Sequence, residues 1–268
     1  MRIARVFATK TNMCPLSSDT YFNEPDLFTP KYDEVHISVT FTWAIKRGHK
    51  LAEAWQTNTK RVKVGGPALG DPGGDFVAGM YLKKGVTITT RGCPHNCWFC
   101  FVPKREGKLR ELPIVPGNII QDNNLLAASE SHIDKVFQML SKQKRIDFSG
   151  GLEASRITDG IVERLRGLSI YQIWLSYDYP GADKPLKKAV NRLKRYFRQD
   201  QIRCYVLIGY SNDILVKAET RLRKAWEIGT LPFAMLYRDE YNNQHTKQWK
   251  QFQRQWTRPA IIKSMNKG

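Results

Sequence analysis

Cys93, Cys97 and Cys100 stand at the spacing C-x3-C-x2-C in Arg91-Gly92-Cys93-Pro94-His95-Asn96-Cys97-Trp98-Phe99-Cys100, directly after a β-like run. Three thiolates on one short loop can hold three corners of a cubane iron–sulfur cluster, leaving the fourth iron open for chemistry. The same sulfurs could serve a structural zinc ion, which takes four ligands in a closed tetrahedron, usually from paired C-x2-C or C-x2-C with His. No second pair exists: Cys14 and Cys204 stand alone, and His95 inside the loop matches the common zinc spacings poorly.

With Phe99 just before the third cysteine, this stretch resembles the cluster-binding loop of the radical S-adenosylmethionine (SAM) superfamily. The resemblance extends over residues 33–240. It implies one 4Fe-4S cluster on Cys93, Cys97 and Cys100, with SAM chelating the free iron through its amino and carboxylate groups. One electron then cleaves SAM to methionine and a 5′-deoxyadenosyl radical, which abstracts a substrate hydrogen. A reductase or flavodoxin-type electron donor is implied as a partner. In such a system the cofactor carries the hard chemistry, and the chain positions it and excludes competing reactants.

The elements that must position the loop are legible as patterns. β-like runs at 86–90, 118–121, 145–148, 171–177, 202–208 and 232–237 alternate with helical spacing, as in Ile133, Val136, Phe137, Leu140 or Leu186, Ala189, Val190, Leu193, Phe197. Alternation of this kind predicts an α/β fold with a parallel sheet. The resemblance sharpens it to an open, partial six-stranded (β/α) barrel over 81–240. In front, β-like 35–41, a helical stretch at 44–56 and β-like 61–64 predict a short βαβ unit, Rossmann-like, within 1–80. Behind, 241–268 reads as a basic amphipathic C-terminal helix and tail, with Trp249, Phe252 and Trp256 expected to dock on the barrel.

Barrels of this type gather reactive groups on loops at the carboxyl ends of their strands. Phe148-Ser149-Gly150-Gly151-Leu152-Glu153 resembles the family's glycine-glycine-acid segment, which implies contact of Gly150, Gly151 and Glu153 with the SAM amino group. The family's segment normally ends the second strand, whereas here it follows the third. Asp122-Asn123-Asn124 ends the second, and a similar element occurs in relatives with a cobalamin-type front domain, so Asp122 and Asn123 are expected contacts as well. By the same resemblance Asp178 would bind the ribose or methionine part, and Gly209 and Ser211 the adenine. Tyr237, Arg238 and Asp239 are assigned to substrate, with an Arg–Asp surface pair as the alternative.

Composition bounds the partners. At 268 residues the chain suits one or two domains, and a net charge of +18 favours a polyanion. RNA or DNA is the leading substrate class, with Lys187, Lys188, Arg192 and Arg195 as candidate phosphate contacts. A peptide or small metabolite is the runner-up. From another class, a non-enzymatic zinc-stabilised nucleic-acid-binding module would add His95 or Cys14 as fourth ligand. No run reaches the ~18 apolar residues of a membrane span and the start is no secretory signal, so a cytoplasmic protein without membrane contact is expected.

Further cofactors are not expected. Methylthiotransferases of the superfamily need three N-terminal cysteines where this chain has Cys14, which leaves a single cluster. Val64-Gly65-Gly66-Pro67 resembles part of a cobalamin-binding domain, but the unit is short and lacks the Asp-x-His-x-x-Gly element, so cobalamin is not expected and His36 reads as a strand residue with a local partner. Cys204 shares the parity of Val206 and Ile208: a second reactive thiol if that face is the barrel interior, a small hydrophobe otherwise.

Overall fold

Short β-branched runs and amphipathic helices alternate along the computed structural model, which describes residues 1–71, 76–239 and 245–266. The chain divides into two units: Met1–Val86 with Lys104–Glu106, and a second containing Thr87–Pro103, Gly107–Arg238 and the C-terminal helices. The first boundary thus falls a few residues past the expected 80.

The first unit comprises β1 (Ile3–Phe7), β2 (Thr20–Tyr21), β3 (Glu34–Ser38), α1 (Ile45–Trp55) and β4 (Val62–Gly65). Its strands form a parallel sheet in the order β2-β1-β3-β4. Ala4, Val6, Val35 and Ile37 alternate onto one face and share a core with Leu51, Ala52 and Trp55 of α1. The expected βαβ motif is therefore the β3-α1-β4 part of a larger sheet. β1 carries only Ala4-Arg5-Val6 of clear alternation, too short a run to stand out from sequence. His36 has the local partners expected of it: Nδ1 meets the Tyr81 hydroxyl at 2.6 Å and Nε2 meets Glu34 at 3.0 Å.

From Val86 onward the chain runs β5 (Val86–Thr87), β6 (Thr90–Arg91), α2 (Val102–Glu106), β7 (Arg110–Glu111), β8 (Ile119–Ile120), α3 (Glu130–Leu140), β9 (Ile146–Phe148), α4 (Asp159–Arg166), β10 (Ile170–Ser176), α5 (Asp183–Leu193), β11 (Ile202–Ile208), α6 (Leu215–Ile228), β12 (Leu231–Leu236), α7 (Lys247–Trp256) and α8 (Pro259–Met265). β6 and β7 pair as a small antiparallel ribbon, and the rest form a six-stranded parallel sheet in the order β5-β8-β9-β10-β11-β12. The order follows the chain without reversal. Since parallel crossovers are right-handed, every step in one direction keeps its helix on the same face.

Helix ends follow local rules: Ser129 and Thr158 accept the His132 and Ile161 N–H groups as N-caps of α3 and α4. Ile202, Cys204, Val206 and Ile208 join the helix-side core with Leu186, Ala189, Val190, Ala218 and Leu222. This decides the role of Cys204. Its face packs on helices, it is fully buried, and burial pushes its thiol well up, so it is a small hydrophobe. The opposite face carries Trp174 stacked on Tyr205 at 4.2 Å, with Phe233 edge-on to both.

The C-terminal helices belong to this unit. Trp256 and Ile262 are buried in its core, with Trp249 and Phe252 packed against it; the Gln253 amide donates to the Ala234 carbonyl of β12 at 3.4 Å. Residues 241–244 and 267–268 of the C-terminal stretch lie outside the described residues. No described helix is long and apolar enough to cross a membrane.

Candidate metal centre

The cysteine loop, residues 92–109, is closed at its base by the β6–β7 ribbon, where Thr90 faces Glu111. Cys93 N–H donates to the Gly107 carbonyl at 3.3 Å, and Cys100 N–H to the Cys97 carbonyl at 3.0 Å. Gly92 makes this closure: its φ is +78°, and a Cβ there would sit 2.1 Å from the Lys108 carbonyl oxygen. All three cysteines are half-buried and none is in a disulfide. Burial pushes the Cys97 thiol up, and the neighbouring Cys100, Cys93, Asp178 and Glu153 charges add to it.

Trp98 is 58% exposed yet packs on Tyr210, ring centroids 4.3 Å apart, and Tyr210 in turn meets Tyr237 edge-on at 4.6 Å. With Phe99 against Trp98 at 4.8 Å, four rings link the cysteine loop to the ends of β11 and β12. On the other side stands Glu153, just past β9. Its Oε2 accepts from Asn124 Nδ2 (2.8 Å) and Arg156 Nε (2.9 Å) and pairs with His95 Nε2 (2.9 Å), while the Ser155 hydroxyl donates to Oε1. Asn124 Nδ2 also lies 3.7 Å from Cys93 Sγ.

Burial opposes ionisation of Glu153, and its donors, Asn124 foremost, outweigh that and hold the carboxyl down to about 2. Because it titrates below its unfolded counterpart, these bonds stabilise the fold fully above the unfolded value of 4.5 and lose that contribution as pH falls towards 2. Glu153→Gln is therefore expected to lower stability at pH 7 by about 2 kcal/mol, after allowing for the half-exposed His95 and Arg156. The gap to wild type should narrow below about pH 4.5 and close only near pH 2. Urea midpoints of the metal-free protein across this range check both.

The other expected site residues divide. Asp122 is 1% exposed and accepts the Thr89 N–H (2.6 Å) and hydroxyl (2.5 Å), so it braces the strand ends from inside. Asn123 beside it is half-buried. A Cβ on Gly150 would meet the Asp122 carbonyl oxygen at 2.3 Å, which makes Gly150 a close-packing glycine, whereas Gly151 has φ +91° and nothing within 4 Å of its would-be Cβ. Asp178, past the end of β10, is half-buried; burial pushes its carboxyl up to about 6 against hydrogen bonds from Ser176 and the Leu207 N–H.

Gly209 N–H is held by Asp213 at 2.9 Å, and Ser211 is exposed. Tyr237 joins the ring chain, followed directly by Arg238 and Asp239. The basic quartet stays apart from this edge. Arg192 and Arg195, at the far end of α5, both pair with Asp159, and Lys187 and Lys188 are exposed on the outer helix layer.

Asn124 and Tyr210 were not singled out from sequence. Asn124 is 4% exposed, touches both Cys93 and Glu153, and its Oδ1 has no hydrogen-bond partner among the described residues; its only sequence signal is its place in the Asp-Asn-Asn run. Tyr210 follows a Gly at a strand end, a weak signal in isolation.

Chemically, three soft thiols on one loop suit an iron–sulfur cluster, and the orphaned Asn124 oxygen and the open space at Gly151 leave polar groups and room beside it. Among the described residues no three His, Cys, Asp or Glu side chains are grouped so as to hold a single metal ion. Neither a protein-family model nor a curated protein sequence matches this chain.

Proposed function

We propose that the chain is a radical SAM enzyme on an open partial (β/α) barrel, carrying one 4Fe-4S cluster on Cys93, Cys97 and Cys100 and acting on RNA or DNA. The observation that carries this reading is the C-x3-C-x2-C loop at the carboxyl edge of a parallel sheet of unreversed order, with Asn124, Glu153 and Asp178 on neighbouring strand ends. When bound, the cluster and SAM supply a reductively generated 5′-deoxyadenosyl radical for hydrogen abstraction.

The chain's own residues orient and shield. Cys93, Cys97 and Cys100 bind as thiolates. The Gly150 and Gly151 N–H groups are committed to the Ile120 and Phe148 carbonyls, so these glycines offer a ligand ammonium their carbonyl oxygens. Asn124 Oδ1 adds a further acceptor, and Asp178 accepts from ligand hydroxyls. Trp98, Phe99 and Tyr210 pack along one side of the loop and screen that side from water. A reductase or flavodoxin-type protein would deliver the electron. The net charge of +18 supports a polyanionic substrate. A zinc module gains no support: His95 is paired with Glu153, and Cys14 is buried with Thr11 in the first unit.

Anaerobic reconstitution is expected to give a brown protein with about four irons per chain that forms 5′-deoxyadenosine from SAM on reduction. A colourless protein holding one zinc ion sinks the proposal. Salt-sensitive RNA or DNA binding supports the substrate class; its absence, with turnover of a peptide or metabolite, replaces it.

A further inference from the structure

At the opposite end of the second unit's sheet, a cleft of ≈ 260 Å³ opens among Tyr171, Gln172, Arg198, Asp200, Arg203 and Lys263. Its walls are the first residues of β10 and β11, the turn before β11, and α8. Arg203 is 5% exposed, its guanidinium lying over the Trp174 ring 4.6 Å from the centroid. Its buried Nε has no hydrogen-bond partner, and no carboxylate pairs with the guanidinium among the described residues. The Asp147 carboxylate, which accepts from Trp174 Nε1 at 3.1 Å, acts on the guanidinium only through its field, without an ion pair. A guanidinium stays protonated even when burial pushes its pKa down, as it does here. A buried charge with no hydrogen-bonded counter-charge is unfavourable, and a ring face with a carboxylate at longer range compensates only in part.

The charges of the cleft say what is missing. Arg198 pairs with Asp200 at 3.1 Å and the two cancel. Arg203 and the exposed Lys263 remain, two positive charges at one opening, beside the Gln172 amide on the same strand face as Trp174. We infer that this cleft is a phosphate-binding site in which Arg203 and Lys263 hold the dianion. A phosphate monoester carries nearly two negative charges at neutral pH, and the planar fork of arginine matches two of its oxygens. The site stands at the amino ends of the strands, away from the cysteine loop, and is independent of the proposed reaction. The phosphate is either that of a small molecule or the terminal phosphate of a nucleic acid.

Melting temperature of the metal-free full chain, with chloride exchanged for inorganic phosphate at constant ionic strength, tests it. Wild type is expected to gain about 5 °C at saturating phosphate. Arg203→Met should abolish the gain and, in chloride, melt close to wild type, because it removes a buried charge that has no hydrogen-bonded carboxylate. Lys263→Gln, on an exposed position, should leave melting in chloride unchanged and weaken phosphate about tenfold. Competition by a 5′-phosphorylated oligonucleotide but not its 5′-hydroxyl form assigns the phosphate to a nucleic-acid end; competition by neither assigns it to a small molecule. No response of wild type to phosphate, or an equal response in Arg203→Met and Lys263→Gln, overturns the inference.

Discussion

Cys97→Ala is expected to leave a folded, colourless chain that makes no 5′-deoxyadenosine. On the proposed reading three thiolates are the cluster's only protein ligands, so two would not retain it and SAM would have no electron source. Product formation should fall by at least about 10⁶-fold, the low end of enzymatic rate enhancement, and so to the detection limit. The metal-free fold should hardly notice. Cys97 is half-buried, and its thiol is pushed towards the neutral form, so its removal breaks no charge pair. Cys204→Ala is the reciprocal control: it leaves a small hole in the core at a fully buried position, costs about 1 kcal/mol, and retains full iron content. Iron and acid-labile sulfide analysis beside a urea titration reads both. Iron retained at wild-type level in Cys97→Ala would falsify the ligand assignment.

The largest loss of stability is expected from Gly150→Ala. The new Cβ would lie 2.3 Å from the Asp122 carbonyl oxygen and 2.8 Å from its nitrogen, and backbone atoms cannot rotate aside as a side chain would. Relief means separating the end of β9 from that of β8, breaking the 2.8 Å bond from Gly150 N–H to Ile120 and disturbing the Asp122 brace on Thr89. Overpacking of a well-filled interior costs about 1–3 kcal/mol, and a backbone obstacle puts this case at the upper end, about 3 kcal/mol. Gly151→Ala meets nothing within 4 Å and has only its φ of +91° to oppose it. That strain is worth about 1–2 kcal/mol, so the order of urea midpoints should be wild type, Gly151→Ala, Gly150→Ala. Equal midpoints for the two variants would contradict the close approach at Gly150.

How much of this was legible depends on the physical signal. The strands at 202–208 and 232–237 stand out as short apolar runs of a sheet largely buried on both faces, and the apolar faces of α3 and α5 because burial on one face imposes a strict period. The five-residue β1 and the two-residue β2 are too short to show a period. For the site, residue type and spacing named the three cysteines, and Gly151, Glu153 and Asp178 border the same edge. Asp122 shows why the rest was hidden. An acid at a strand end looks alike in sequence whether it faces a ligand or turns inward onto a threonine. Which side it takes depends on Thr89, 33 positions away. Arg203 is harder still, since only the fold reveals that its cleft pairs one arginine with an aspartate and leaves the other alone.

The Gln253–Ala234 bond has a consequence for the intact chain. β12 is the outermost strand of the large sheet, and a terminal strand with bare peptide groups is a template for pairing with other molecules. Seating α7 along it screens that rim as well as filling the interior. A chain truncated before α7 would therefore present a naked strand together with a stripped apolar surface, and self-association into aggregates would compete with folding.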